Sequence, residues 1–290
     1  MRVLLLGATG YIGSAVLSEL LTHGHSVLAL ARQASAENRL AQQGATVLPG
    51  DLRRPETWAA EALRQVDAVV HLAATFTADM GAVDEGLVRA LIAAAPVGRR
   101  PLRFLYTGGC WLYGATGDRV ADEEDPLAPL PDWAWMQRNF ETIAAFRGFA
   151  ALFLHPAMAY DRDGGALDRF IAGARDHGSV EVVGSLETRW PLVQVEDLAA
   201  AYRLALTQGR PGAAYNLAAE DGVPVGQLAA AVARRFALQQ PPRVIETAEA
   251  VARLGGWAAG LALDQQMSGA KARREFGWLP KRRSILEELA

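Results

Sequence analysis

Met1-Arg2-Val3-Leu4-Leu5-Leu6-Gly7-Ala8-Thr9-Gly10-Tyr11-Ile12-Gly13 decides how this chain folds. An uninterrupted apolar run of strand length ends at a glycine, and a helix-like pattern follows it. A strand apolar on every position is one buried on both faces, as in a parallel sheet. The glycines divide the work of the turn that follows. Gly7 permits the tight bend, Gly10 lets backbone approach a pyrophosphate, and Gly13 lets the helix pack on the strand. The amides at the start of such a helix lack intrahelical acceptors and face an anion. Gly7, Thr9, Gly10, Tyr11, Ile12 and Gly13 are therefore expected to bind a dinucleotide.

The same alternation continues outward from this turn. Further strands are expected at Ser26 to Ala31, Thr46 to Leu48, Ala68 to His71 and Arg103 to Thr107, with helices over Ile12 to His23, Ala36 to Gln43, Glu56 to Arg64 and Val83 to Ala95. Right-handed crossovers turn that series into an α/β fold with a doubly wound parallel sheet. After Tyr160 the rhythm changes to short strands, glycine, proline and alanine-rich helices. The expected organisation is a dinucleotide-binding domain over 1–160 and a smaller substrate-facing region over 161–290, partly interleaved with it.

The glycine spacing is Gly-x-x-Gly-x-x-Gly, and it has company. Asp51-Leu52, His71-Leu72-Ala73-Ala74, Leu192 to Ala199, Tyr215-Asn216-Leu217 and Lys271 to Pro280 complete a pattern that runs the length of the chain. It resembles the short-chain dehydrogenase/reductase superfamily in its extended or atypical branch, of epimerase/dehydratase type. The resemblance implies that Asp51 and Leu52 contact adenine and that Leu72, Ala73 and Ala74 lie beside the cofactor. Relatives that hold a free ribose 2′-hydroxyl usually end the second strand with Asp or Glu. Here Ala31 stands there and Arg32 follows. A guanidinium grips a 2′-phosphate that a carboxylate would repel, so NADP(H) is the expected cofactor.

In that superfamily a Ser or Thr orients the substrate and a Tyr transfers a proton. A Lys four residues after the Tyr lowers its pKa, because a phenol near pKa 10 needs a nearby cation to exchange protons at neutral pH. Aligning Tyr113-Gly114 with the family's Tyr-Gly puts Gly109 at the hydroxyl position. Trp133 then stands for the tyrosine and Gln137 for the lysine. The only two lysines, Lys271 and Lys281, lie near the end of the chain. Thr107, Tyr113 and His155 are the candidate catalytic residues, with Thr107 also beside the cofactor at a strand's C-terminal end. Asp79, Gly109, Trp111, Trp133 and Gln137 are the candidate substrate pocket, and Trp111, Trp133 and Trp135 are candidates for an aromatic wall. Cys110 has neither a base nor a nearby cation in sequence to make it a nucleophile. The leading expectation is an NADPH-dependent oxidoreductase on a small organic substrate, with a non-standard proton donor. A non-redox isomerase, cyclase or lyase, or a non-enzymatic NADP(H) sensor, are the alternatives.

The bulk numbers fit these readings. The 290 residues carry a formal net charge of -3 and are 51% hydrophobic and 21% charged. A near-neutral chain of this composition is expected to be globular, with no nucleic acid and no membrane as partner. The N-terminal apolar run is too short for a targeting core, and one cysteine cannot form an internal disulfide or a thiolate metal cluster, so no metal is expected. Cytoplasmic residence, a small-molecule substrate and a possible homodimer complete the expectations. The acidic run Asp122 to Asp125 and the basic cluster Lys271, Arg273, Arg274, Lys281, Arg282 and Arg283 are expected to be solvated.

Overall fold

A computed structural model describes residues 1–96, 100–282 and 284–289. Seven strands form one parallel sheet. From one edge they run Thr46–Pro49, Ser26–Ala31, Arg2–Leu6, Ala68–His71, Leu102–Thr107, Phe149–Pro156 and Ala214–Leu217. Every pairing in it is parallel. Strand order reverses between Arg2–Leu6 and Ala68–His71, which opens a crevice at the C-terminal ends of those two strands.

Alternation along the strands builds two cores. Val3, Leu5, Val70 and Leu105 face the first helix, Tyr11–Thr22, and the helix Val195–Gln208. Leu4, Leu6, Val69 and Phe104 face the helices Ala59–Gln65, Met80–Ala94 and Ala134–Ala145. Successive residues of a strand point to opposite faces, so a run such as Val3-Leu4-Leu5-Leu6 must be apolar throughout. Differences from the expected elements are confined to their ends, apart from the stretch before Ala59. There Pro55–Thr57 is a separate 3₁₀ turn, because Trp58, at φ −136°, breaks the helical path before Ala59.

A smaller sheet of Glu220–Pro224, Arg189–Gln194, Met158–Asp161 and Gly164–Gly165 covers a third core, which contains Tyr160, Phe170, Trp190 and Leu228. Strand Ala214–Leu217 returns from this half of the chain to the edge of the main sheet. Among the described residues no helix is long and apolar enough to cross a membrane.

Candidate functional site

The crevice at the strand-order reversal is a cleft of about 850 Å³. Gly7, Thr9, Gly10, Tyr11, Ile12, Gly13, Arg32, Asp51, Leu52, Leu72, Ala73 and Ala74 all line it. Local backbone explains the glycines. Gly7 adopts φ +91°, and a Cβ there would lie 2.8 Å from the Ala73 nitrogen. A Cβ on Gly13 would lie 1.9 Å from the Gly7 carbonyl oxygen, whereas one on Gly10 would lie 3.3 Å from it. Gly13 is thus fixed by packing, while Gly10 leaves open the approach to the helix end. That end has no side-chain cap and no acidic residue in its first turn. Its first-turn amides are left facing the cleft, which fits a bound diphosphate.

Arg32 is exposed on the cleft wall, and among the described residues no carboxylate pairs with it. Asp51 is held by the chain around it: its carboxylate accepts from the Arg53 amide at 3.0 Å and its carbonyl from Trp58 Nε1 at 2.9 Å. Below the cleft floor, Asp84 is buried in the Met80–Ala94 helix. His71 Nε2 lies 2.5 Å from its Oδ1, while Tyr106 Oη and Asn139 Nδ2 donate to its Oδ2 at 2.5 and 2.7 Å. Burial pushes this carboxyl up, but the adjoining His71 and these three hydrogen bonds outweigh it and hold it below the ordinary range. The Ala73 amide points at His71 Nδ1 at 3.4 Å, so the network props up the loop that lines the cleft. A carboxylate on the apolar face Val83, Leu87, Val88 and Leu91 was the available sequence signal for it.

The expected substrate residues divide. Trp111 lines the cleft, as does Trp257, and their rings stack with centroids 6.4 Å apart. Trp133 lies 5.4 Å from Trp111 and lines a neighbouring cleft of about 960 Å³, with Asp79, Trp135 and Trp257. Asp79 takes both terminal nitrogens of Arg53, one at 3.0 Å, and a 2.6 Å hydrogen bond from Thr77. The Arg53 guanidinium therefore holds its carboxyl far below the ordinary range, and it stays ionised. Gln137 donates to Glu141 Oε1 at 3.0 Å and, like Gly109, lines neither cleft.

The three expected catalytic residues lie behind the cleft walls. Thr107 Oγ1 is 2.8 Å from Tyr202 Oη, in the packing of the sheet against Val195–Gln208. Tyr113 is buried and donates to Asn216 Oδ1 at 2.9 Å, and burial pushes its phenol up. His155 is 1% exposed between Phe153 and Tyr113. Burial pulls its imidazole down to about 3, against a smaller opposing effect of a backbone hydrogen bond with Gly109. It is neutral at neutral pH, not the near-neutral acid its residue type implied. Cys110 is also buried, its thiol pushed up to about 12.

Two stretches expected to be solvated are in fact engaged. Glu123 accepts the Asn216 amide at 2.7 Å. Arg273 donates to the carbonyls of Ala218 and Ala219 at 3.1 Å, Lys271 Nζ sits 5.1 Å over the Tyr215 ring, and Arg282 pairs with Glu196. Arg283 lies outside the described residues. Sequence reasoning missed Arg53, Thr75, Phe76, Thr77, Met158, Asp168, Arg169, Trp257 and Leu261 on the first cleft wall. Phe76 is 75% exposed with φ +50°, a conformation costly for a non-glycine residue.

The model of the NAD dependent epimerase/dehydratase family matches residues 3–218. The chain belongs to that family. The chain is 29% identical to a 3-diazoavenalumate denitrifying reductase from a Streptomyces species, over 97% of this chain and 96% of that protein. An uncharacterised protein of Saccharomyces cerevisiae is 28% identical, over 100% and 98%. UDP-glucose 4-epimerase from Thermotoga maritima, solved with UDP-glucose, superposes with a TM-score of 0.81 at 19% identity, covering 100% of this chain and 96% of that one. The dTDP-glucose 4,6-dehydratase of Streptomyces venezuelae, solved with NAD bound, gives 0.82 at 20% identity, covering 100% and 96%. The family's extended short-chain dehydrogenase/reductase architecture is therefore that of this chain.

Proposed function

We propose that this family member is an NADP(H)-dependent oxidoreductase acting on a small organic substrate with an aromatic or apolar part. The observation that carries the reading is Arg32, an unpaired guanidinium at the end of the second strand and on the wall of the cleft. The name of the Streptomyces relative, a reductase, supports reductive chemistry. The nicotinamide cofactor would supply or accept the hydride. Gly10 and the first-turn amides of the first helix would hold its diphosphate, and Arg32 its 2′-phosphate. Trp111 and Trp257 would present flat apolar faces to the substrate and exclude water from it. The groups on the cleft wall able to move a proton are the Thr75 and Thr77 hydroxyls and the Asp168 carboxyl, which burial raises.

Removing the guanidinium tests the cofactor assignment. Arg32→Ala is expected to weaken NADPH binding about tenfold or more and to leave NADH binding within about twofold. Calorimetric titration of both coenzymes reads this directly, and an equal loss for both refutes it. NADPH oxidation over a panel of aryl aldehydes, imines and diazo compounds tests the redox reading. Turnover that persists after the coenzyme is stripped points instead to a non-redox enzyme.

A further inference from the structure

Arg169 stands in the first turn of the helix Asp168–His177 and on the wall of the cleft, together with Trp257 and Leu261. It is partly buried, and among the described residues neither a hydrogen bond nor an ion pair engages its guanidinium. Its surroundings leave a positive charge uncompensated. The carboxylate of Glu181, the group that favours its charge, is already shared between Arg243 and Arg253. Glu249 also pairs with Arg253, at 3.1 Å. Three guanidinium groups thus meet two carboxylates, and Arg169 is the one left facing the cleft. A partly desolvated guanidinium without a partner is unfavourable until an anion arrives, and it binds a carboxylate in two parallel hydrogen bonds. Asp168, next to it on the wall, lies toward the phosphate turn, where Asp161 and Asp168 both act on Tyr11.

We propose that Arg169 recognises an anionic group of the substrate, a carboxylate, so that the substrate class is an aromatic or similarly flat acid. The inference rests on the reading of this cleft as an oxidoreductase site. The tryptophan faces alone would serve a flat cation equally well. A guanidinium on the same wall repels cations and decides between the two.

Binding tests this without turnover. Cinnamate and methyl cinnamate, which differ in charge and share an aromatic body, are titrated into the NADP⁺-saturated protein. Quenching of tryptophan fluorescence and calorimetry follow the binding. Wild type is expected to bind the acid about tenfold or more tighter than the ester. Arg169→Gln should erase that preference, Arg169→Lys should keep part of it, and NADP⁺ affinity should stay unchanged in both. Three results overturn the proposal: an acid preference that survives in Arg169→Gln, no preference in wild type, or no binding of either compound. A parallel loss of NADP⁺ affinity overturns it too, by assigning Arg169 to the coenzyme diphosphate. A protein that prefers the acid but never oxidises NADPH sinks the oxidoreductase reading and leaves the anion site standing.

Discussion

His155 shows how far one side chain's chemistry depends on what surrounds it. An imidazole in water titrates near pH 6.5, within reach of general acid catalysis. Here the ring is sealed between Phe153 and Tyr113 and is pulled down to about 3 by burial. The folded-state value lies below the unfolded one, so as pH falls the unfolded chain takes up the proton first. This group's contribution to stability is complete above about pH 6.5 and is lost progressively as pH falls from there toward about 3. The loss is on the order of 1 kcal/mol per pH unit within that window. His155→Leu, of similar volume, removes it. Between about pH 7.5 and about pH 5.5, urea unfolding should show wild type losing more stability than the variant. Identical losses would mean the ring is solvated. Asp84 has the same sign, since its carboxyl is also depressed; its contribution is present at neutral pH and is lost only at still more acid pH. In both cases the residue type was plain in the sequence. The burial that sets its protonation came from strands and helices remote in the chain.

The turn between the first strand and the first helix was the most legible element, since its constraints are nearly all local. The structure assigns its glycines separate jobs. A Cβ at Gly13 runs into the Gly7 carbonyl, while one at Gly10 makes only a tight contact with that oxygen and meets nothing else within 4 Å. Gly13→Ala should therefore lower the melting temperature markedly, by several degrees, as an overpacking substitution of about 1 to 3 kcal/mol does. Gly10→Ala should melt within a degree or two of wild type yet bind NADPH at least about tenfold more weakly. Differential scanning calorimetry and coenzyme titration on the pair separate the two effects. If Gly10→Ala binds normally, the helix end is not where the diphosphate sits. The loop after Ala68–His71 was far less legible. Its Arg53–Asp79 pair joins residues 26 apart, and the left-handed backbone at Phe76 has no local signature because the residue is not glycine.

Across the whole molecule, contacts between segments distant in the chain hold its parts together. The Tyr11 ring packs so closely on Gly165 that a Cβ there would come within 2.5 Å of it, and burial, together with the neighbouring Asp161, pushes its phenol up. The phosphate turn is thereby joined to the smaller sheet. At the far end, the buried Asp197 carboxylate accepts the amides of Lys281 at 3.0 Å and Arg282 at 2.9 Å, and its carbonyl accepts Trp278 Nε1 at 2.8 Å. Asp197→Ala strands two amides that had a carboxyl acceptor. It should cost about 2 to 3 kcal/mol in urea unfolding and speed limited proteolysis after Trp278. A change below about 0.5 kcal/mol would show the tail is held by packing alone.

The sequence by itself determined the α/β class, the parallel sheet and the glycine turn between the first strand and first helix, because apolar periodicity and glycine sterics act between near neighbours. Only the tertiary structure decided which of the remaining polar groups reach the cleft. It put Tyr113 and His155 in the core, left Thr107 half-buried against Tyr202, and brought Asp168, Arg169 and Trp257 to the wall. Those placements depend on crossovers that bring distant segments to one sheet edge, and on burial and compensating charge supplied by residues far away in the chain. No local pattern encodes either.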